Sequence, residues 1–123
     1  MNSPIVITGM GIISPLGCGV KRVWNRLLAG TSGIDLISRF DLEDVPIKIA
    51  GLVPDIEQDP EAGFDSAKVV PPKDLKKLDL FTVYAFAAAQ EALEQANWFP
   101  ESEQDQLSTA TIIGTGVGGL STI

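Results

Sequence analysis

The sequence predicts an α/β fold in which short buried strands lie against helices. Three observations carry that expectation. A β-branched run, Ile5-Val6-Ile7-Thr8, stops at Gly9 near the start of the chain. A second run, Thr109-Ala110-Thr111-Ile112-Ile113, opens into a glycine-rich stretch near its end. Between them lie an amphipathic helical pattern and a long alanine-rich one. Strand, helix and strand in that order point to an α/β sheet. Two or three strands cannot cover both of their own faces, so the sheet is expected to be part of a larger domain.

The first run predicts a buried strand, with Gly9-Met10-Gly11 as a tight exit and Ser14-Pro15-Leu16-Gly17 as a loop. Val20, Val23, Trp24, Leu27 and Leu28 recur at helical spacing, while Lys21, Arg22, Asn25 and Arg26 point the other way. Gly30 is a natural stop. Residues 31–40 predict a loop, and Ile47-Lys48-Ile49-Ala50 a short edge strand. Residues 55–65 carry five acidic side chains and no basic one, with Pro60 and Gly63. They are expected to be a solvated loop and the least ordered part of the chain. Pro71-Pro72 leads into a short helix over 73–77, with proline near its first position. Asp79 is placed to cap a longer helix over 80–96. The alanines of that helix favour close packing, and Asn97 and Pro100 end it. Trp24 and Tyr84 are expected in the core, 101–106 in a polar loop. A further helix is expected to begin at Leu120.

Composition narrows the function. The 123 residues suit one compact domain, with 45% hydrophobic and 20% charged residues, which is ordinary for a globular chain. The net charge of -7 disfavours general binding to nucleic acid or an anionic membrane, because phosphate repels it. The first basic residue is Lys21 and no apolar stretch reaches the roughly 18 residues of a membrane span, so a cytoplasmic protein without a secretory signal is expected. One cysteine, Cys18, excludes an internal disulfide and fits a reducing compartment. The sequence contains no histidine, so no Ser-His or Cys-His pair forms within it and no zinc-spaced Cys/His cluster exists. No metal and no cofactor are expected.

Each remaining motif has two readings. Gly114-x-Gly116-x-x-Gly119 matches the dinucleotide fingerprint, and Gly9-x-Gly11 nearly does. The other reading is that these glycines let the backbone turn sharply or approach another segment closely. Cys18 precedes a helix, where a thiol can become reactive, or it is a small apolar filler. Lys73, Lys76 and Lys77 stand at i, i+3 and i+4 with Lys68 nearby in sequence. They form either a dock for an acidic partner or an ordinary solvated face.

Taken as an ordered set, these segments resemble the β-ketoacyl–acyl-carrier-protein synthases of the elongating, type II class. The residues that carry the resemblance are 5–17, Trp24 with 27–30, Ser32-Gly33-Ile34, Phe40-Asp41, Ala50-Gly51-Leu52-Val53, Asp79-x-Phe81 and 113–119. The resemblance covers almost the whole chain apart from the acidic loop.

It implies a thiolase-like layered fold, of which residues 1–123 are part of the N-terminal half, and a homodimer when complete. It also implies a reaction. A cysteine takes an acyl group from acyl-carrier protein as a thioester, and a decarboxylated malonyl unit attacks it. Two histidines serve the decarboxylation, and backbone amides hold the oxyanion. In the family all these groups lie beyond the equivalent of Ile123, so no catalytic residue is expected in this chain and Cys18 is not the nucleophile. Val117 matches the residue that lines the acyl tunnel, where isoleucine is common. Lys73, Lys76 and Lys77 match the basic helix that receives the acidic carrier protein. Two alternatives stand beside the synthase: a partner subunit resembling the chain-length factors, which share the fold without the nucleophile, and a dinucleotide-binding domain.

Overall fold

The computed structural model describes residues 4–38 and 41–119. Phe40 and the helix expected from Leu120 lie outside the described residues. The first paired strands among the described residues form a tight antiparallel hairpin. Strand β1 (Ile13–Ser14) pairs with β2 (Gly17–Cys18) in the register Ile13↔Cys18 and Ser14↔Gly17. Ser14 closes the turn locally. Its Oγ accepts from the Leu16 N–H at 3.2 Å and donates to the Gly17 carbonyl. Gly17 has φ 105°, and a Cβ there would lie 2.7 Å from the Ala62 side chain, so only glycine fits.

Helix α1 (Val20–Leu28) follows as the apolar spacing predicts. It ends in a Schellman motif: Thr31 N–H donates to the Arg26 carbonyl and Gly30 N–H to the Leu27 carbonyl, with Gly30 at φ 70°. Strand β3 (Asp35–Leu36), within the stretch expected as loop, pairs antiparallel with β4 (Ile49–Ala50). The expected edge strand is therefore present over its second half.

The acidic segment is a loop, as expected, and mostly exposed, but it is internally organised and packed at one end, contrary to its expected place as the least ordered part. Asp55 and Asp59 each fold a turn by accepting two backbone N–H bonds. Ala62 and Phe64 are buried, and the Cys18 N–H donates to the Ala62 carbonyl at 2.7 Å. Acidic side chains at these spacings serve the local backbone, which composition alone does not reveal.

Asp65 caps a short helix, α2 (Ser66–Val69), by accepting from Ala67 N–H. Helix α3 (Pro72–Leu75) is shorter than its pattern predicts. Helix α4 (Leu80–Ala96) starts after Asp79, whose carbonyl accepts from Thr82 and Val83 N–H, and ends at Asn97 in the left-handed conformation (φ 50°). The expected polar loop at 101–106 contains helix α5 (Glu103–Leu107). Ser102 caps it by accepting from Asp105 N–H at 3.1 Å, a capping pattern that the polar composition conceals. The small core gathers Phe64, Val70 and Val83, with Tyr84 edge-on to Phe64 at a centroid distance of 4.7 Å.

Three expectations are corrected. Ile5–Thr8 and Thr109–Ile113 are not strands here, and their isoleucines are exposed. A β-branched run becomes a strand only when a second edge completes its ladder, and among the described residues neither run is paired. Among the described residues the two sheets are antiparallel two-stranded pairs. Trp24 is exposed, not core. It lines an apolar groove of about 540 Å³ with Met10, Val23, Leu27, Ala88 and Ala92. No helix among the described residues is long and apolar enough to cross a membrane.

Candidate functional site

The lysine face begins with two prolines. Pro72 stands in the first turn of α3, and the Pro71 carbonyl accepts from Asp74 and Leu75 N–H. Leu75 and Leu78 pack onto the core. That anchoring turns Lys73, Lys76 and Lys77 to solvent, and all three are exposed. Lys76 sits at the C-cap with helical backbone angles, directly after the last helical residue, Leu75. Helix α2 touches α3 and brings Lys68, also exposed, into the neighbourhood. Two aspartates sit among these lysines. Asp74 Oδ1 lies 3.5 Å from Lys77 Nζ, and Asp65 Oδ2 lies 3.4 Å from Lys68 Nζ.

Val117 lies in an open turn of the 114–119 run, exposed, with Gly118 at φ 79°. A Cβ on Gly114, Gly116 or Gly118 would meet nothing within 4 Å.

The first glycine run has a clear steric role. A Cβ on Gly11 would lie 1.9 Å from the Ala88 carbonyl oxygen, and one on Gly9 would lie 2.0 Å from that of Ala92. Segment 9–12 therefore lies directly on the backbone of α4, where only glycine against alanine permits contact. Polar side chains of α4 fix its position. Glu91 Oε2 accepts from Ile12 N–H at 3.0 Å, Glu91 Oε1 from Val20 N–H at 2.7 Å, and Gln95 Oε1 from Met10 N–H at 2.6 Å. Val20 is the first residue of α1, and its N-cap is Gly19, which has no side chain to offer. A carboxylate from a distant helix takes that capping role, in the favourable place for negative charge. Sequence reasoning missed Glu91 and Gln95; their i, i+4 spacing on an alanine-rich face was the available signal.

Cys18 is partly buried beside the core. Desolvation foremost, then the charges of Glu91 and Asp59, push its thiol up, and Arg22 offsets this only in part. This thiol is held protonated, which favours the filler reading over an activated nucleophile. Below it, Arg26 is hydrogen-bonded to Asp59 and to the Leu16 carbonyl, tying α1 to the acidic loop and the hairpin turn. The Arg26 hydrogen bond is the main reason the Asp59 carboxyl falls to about 2. Among the described residues no group of three or more His, Cys, Asp and Glu side chains is placed to hold a metal ion.

Comparison with known proteins adds what geometry does not. The family model described as "Beta-ketoacyl synthase, N-terminal domain" matches residues 2–122. A 3-oxoacyl-[acyl-carrier-protein] synthase 2 of Rhizobium meliloti is 45% identical over 97% of this chain and 28% of its own length. The tetracenomycin polyketide synthase ketoacyl synthase beta subunit of Streptomyces glaucescens is 38% identical over 95% of this chain and 26% of its own. Among solved structures, the ishigamide ketosynthase/chain length factor superposes with a TM-score of 0.61 at 35% identity, covering 81% of this chain and 22% of that one. The chain thus spans about a quarter of the length of the relatives it matches.

Proposed function

This chain belongs to the β-ketoacyl synthase N-terminal domain family, and on that premise we propose that it is the opening segment of a 3-oxoacyl-[acyl-carrier-protein] synthase of fatty acid biosynthesis. The observation that carries this reading is the 45% identity to a synthase 2 across nearly the whole chain. Such a synthase is a cytoplasmic acyltransferase with a thiolase-like layered fold, working as a homodimer. The acyl group passes from carrier protein to a cysteine thiolate. Malonyl-carrier protein then loses carbon dioxide, and its carbanion attacks the thioester, forming a carbon–carbon bond and freeing the thiolate. Residues 1–123 are the N-terminal part of the first domain and contribute no catalytic group. The absence of histidine and the raised Cys18 thiol support that division of labour.

In this reading the chain contributes recognition. Lys73, Lys76 and Lys77 form a basic face on an acidic chain and receive the acidic carrier protein. Val117 borders the acyl tunnel, where one methylene less than isoleucine widens the space slightly and shifts chain preference by about 1–3 kcal/mol at most. The test of the docking face is Lys76→Glu/Lys77→Glu in the complete polypeptide that carries this segment. KM for carrier-linked substrates should rise while kcat is retained, and an unchanged KM at low salt would count against it.

The likeness to a ketoacyl synthase beta subunit and to a ketosynthase/chain length factor favours one second reading, a non-condensing partner subunit. Mass spectrometry of the complete polypeptide after incubation with acyl-carrier protein separates the two. A covalent acyl adduct supports the synthase; carrier binding without an adduct supports the partner subunit.

A further inference from the structure

The lysine face contains its own anions, and these bear on how strongly it can hold a partner. Four exposed lysines, at 68, 73, 76 and 77, lie in or directly after two touching short helices. Lys77 is engaged by Asp74 at 3.5 Å and Lys68 by Asp65 at 3.4 Å. Among the described residues Lys73 and Lys76 have no ion-pair partner, so they present their full charge outward. Both existing pairs are solvent-exposed on the lysine side, with Lys77 at 75% and Lys68 at 80%. Exposed pairs of this kind are weak, so an incoming carboxylate can displace either aspartate.

We propose that Asp74, with Asp65 in a lesser role, is a built-in competitor on this face that weakens the hold on an acidic carrier protein and keeps its docking transient. This rests on the docking reading above. The chemistry is a straight exchange. Lys77 leaves Asp74 for a carboxylate of the partner, and the freed Asp74 carboxylate stays beside the interface as a repulsive charge. Competition and repulsion act in the same direction, and both are screened by salt. Asp65 also caps α2, so its replacement carries a structural cost that Asp74 avoids. That makes Asp74 the position to test.

The experiment is steady-state kinetics on the complete polypeptide carrying Asp74→Asn. The substrate is an acyl group on carrier protein, with the same acyl group on a small thiol as control. At low salt KM for the carrier-linked substrate should fall roughly two- to five-fold, the size expected for one exposed pair. The small-thiol KM and kcat should not move, and the gain should fade at high salt. In a Lys77→Ala background the gain should shrink, because the competed lysine is gone. Three results overturn the proposal. An unchanged or raised KM for Asp74→Asn, while Lys76→Glu/Lys77→Glu raises it, removes the competitor and leaves docking intact. An undiminished gain without Lys77 shows that Asp74 acts as a distant charge and not through the pair. A Lys76→Glu/Lys77→Glu variant with unchanged KM at low salt removes the docking reading and this inference together.

Discussion

Glu91 is the position where one substitution should undo the most. Its two carboxylate oxygens accept from the Ile12 and Val20 backbone N–H groups, at 3.0 and 2.7 Å. Glu91→Ala leaves both donors without that acceptor in a partly buried place. An unsatisfied buried donor costs about 1–3 kcal/mol, and partial access of water puts each loss in the lower half of that range. The favourable placement of negative charge at the start of α1 adds about 0.3–1 kcal/mol. The expected total for Glu91→Ala is therefore about 2–5 kcal/mol. Glu91→Gln retains one acceptor oxygen and turns an amide NH₂ toward the other donor, so it should cost roughly half as much. The assay is urea unfolding of the complete polypeptide, read by tryptophan fluorescence. Trp24 rides on α1 and reports the helix that loses its cap. Amide hydrogen exchange localises the effect, with Ile12 and Val20 expected to exchange faster than amides in the middle of α4. A Glu91→Ala variant within about 0.5 kcal/mol of the parent, with Ile12 and Val20 protection unchanged, would refute the reasoning, because exposed positions without such a role typically shift stability by no more than that.

Two further outcomes follow from the same packing. Gly11→Ala should destabilise by about 1–3 kcal/mol or more, since its Cβ would meet the Ala88 carbonyl carbon at 2.7 Å and its oxygen at 1.9 Å, neither of which a side-chain rotation can relieve; a thermal melt indistinguishable from the parent's would contradict that contact. The Asp59 carboxyl lies at about 2 in the fold, below the ordinary value of 3.8. A depressed carboxyl contributes stability that is present above its unfolded value and lost as pH falls through the folded one. Stability measured between about pH 4 and pH 2 should fall more steeply in the parent than in Arg26→Ala, and equal slopes would show that the ion pair contributes nothing there.

Local signals in the sequence were legible where the backbone answers to its neighbours. The apolar spacing of Val20, Val23 and Leu27 gave α1, Gly30 its end, and the alanine-rich stretch gave α4 with Asn97 as its stop. Pro71-Pro72 marked α3, and the lysines that follow are exposed. What escaped depends on partners far along the chain or on side chains spent on local backbone. Glu91 caps a helix 71 residues earlier, which no window of sequence reveals. Asp55, Asp59 and Ser102 looked like solvated polar residues and turned out to organise turns and a helix start. For the candidate site the limit is different. The family motif pointed to Val117 by position alone, and its surroundings among the described residues are open.

The misread strands and the misread tryptophan share one cause. Ile5, Val6, Ile7, Ile112 and Ile113 all stand exposed, and Trp24 and Leu27 leave the apolar face of α1 open above the small-residue face of α4. Burying one such side chain fully is worth about 1.5–3 kcal/mol, so this many open positions represent a large unused driving force. The pattern is ordered, not scattered. Two β-branched runs lack a neighbouring edge, and one helix stripe lacks a covering layer. These are the deficits expected where a sheet and its second layer are incomplete, and the relatives are about four times as long as this chain. The sequence periodicity reads the intrinsic preference of each segment. It failed as an account of what they do here, because strand and core are properties of a pair of surfaces, and the described residues supply one of each.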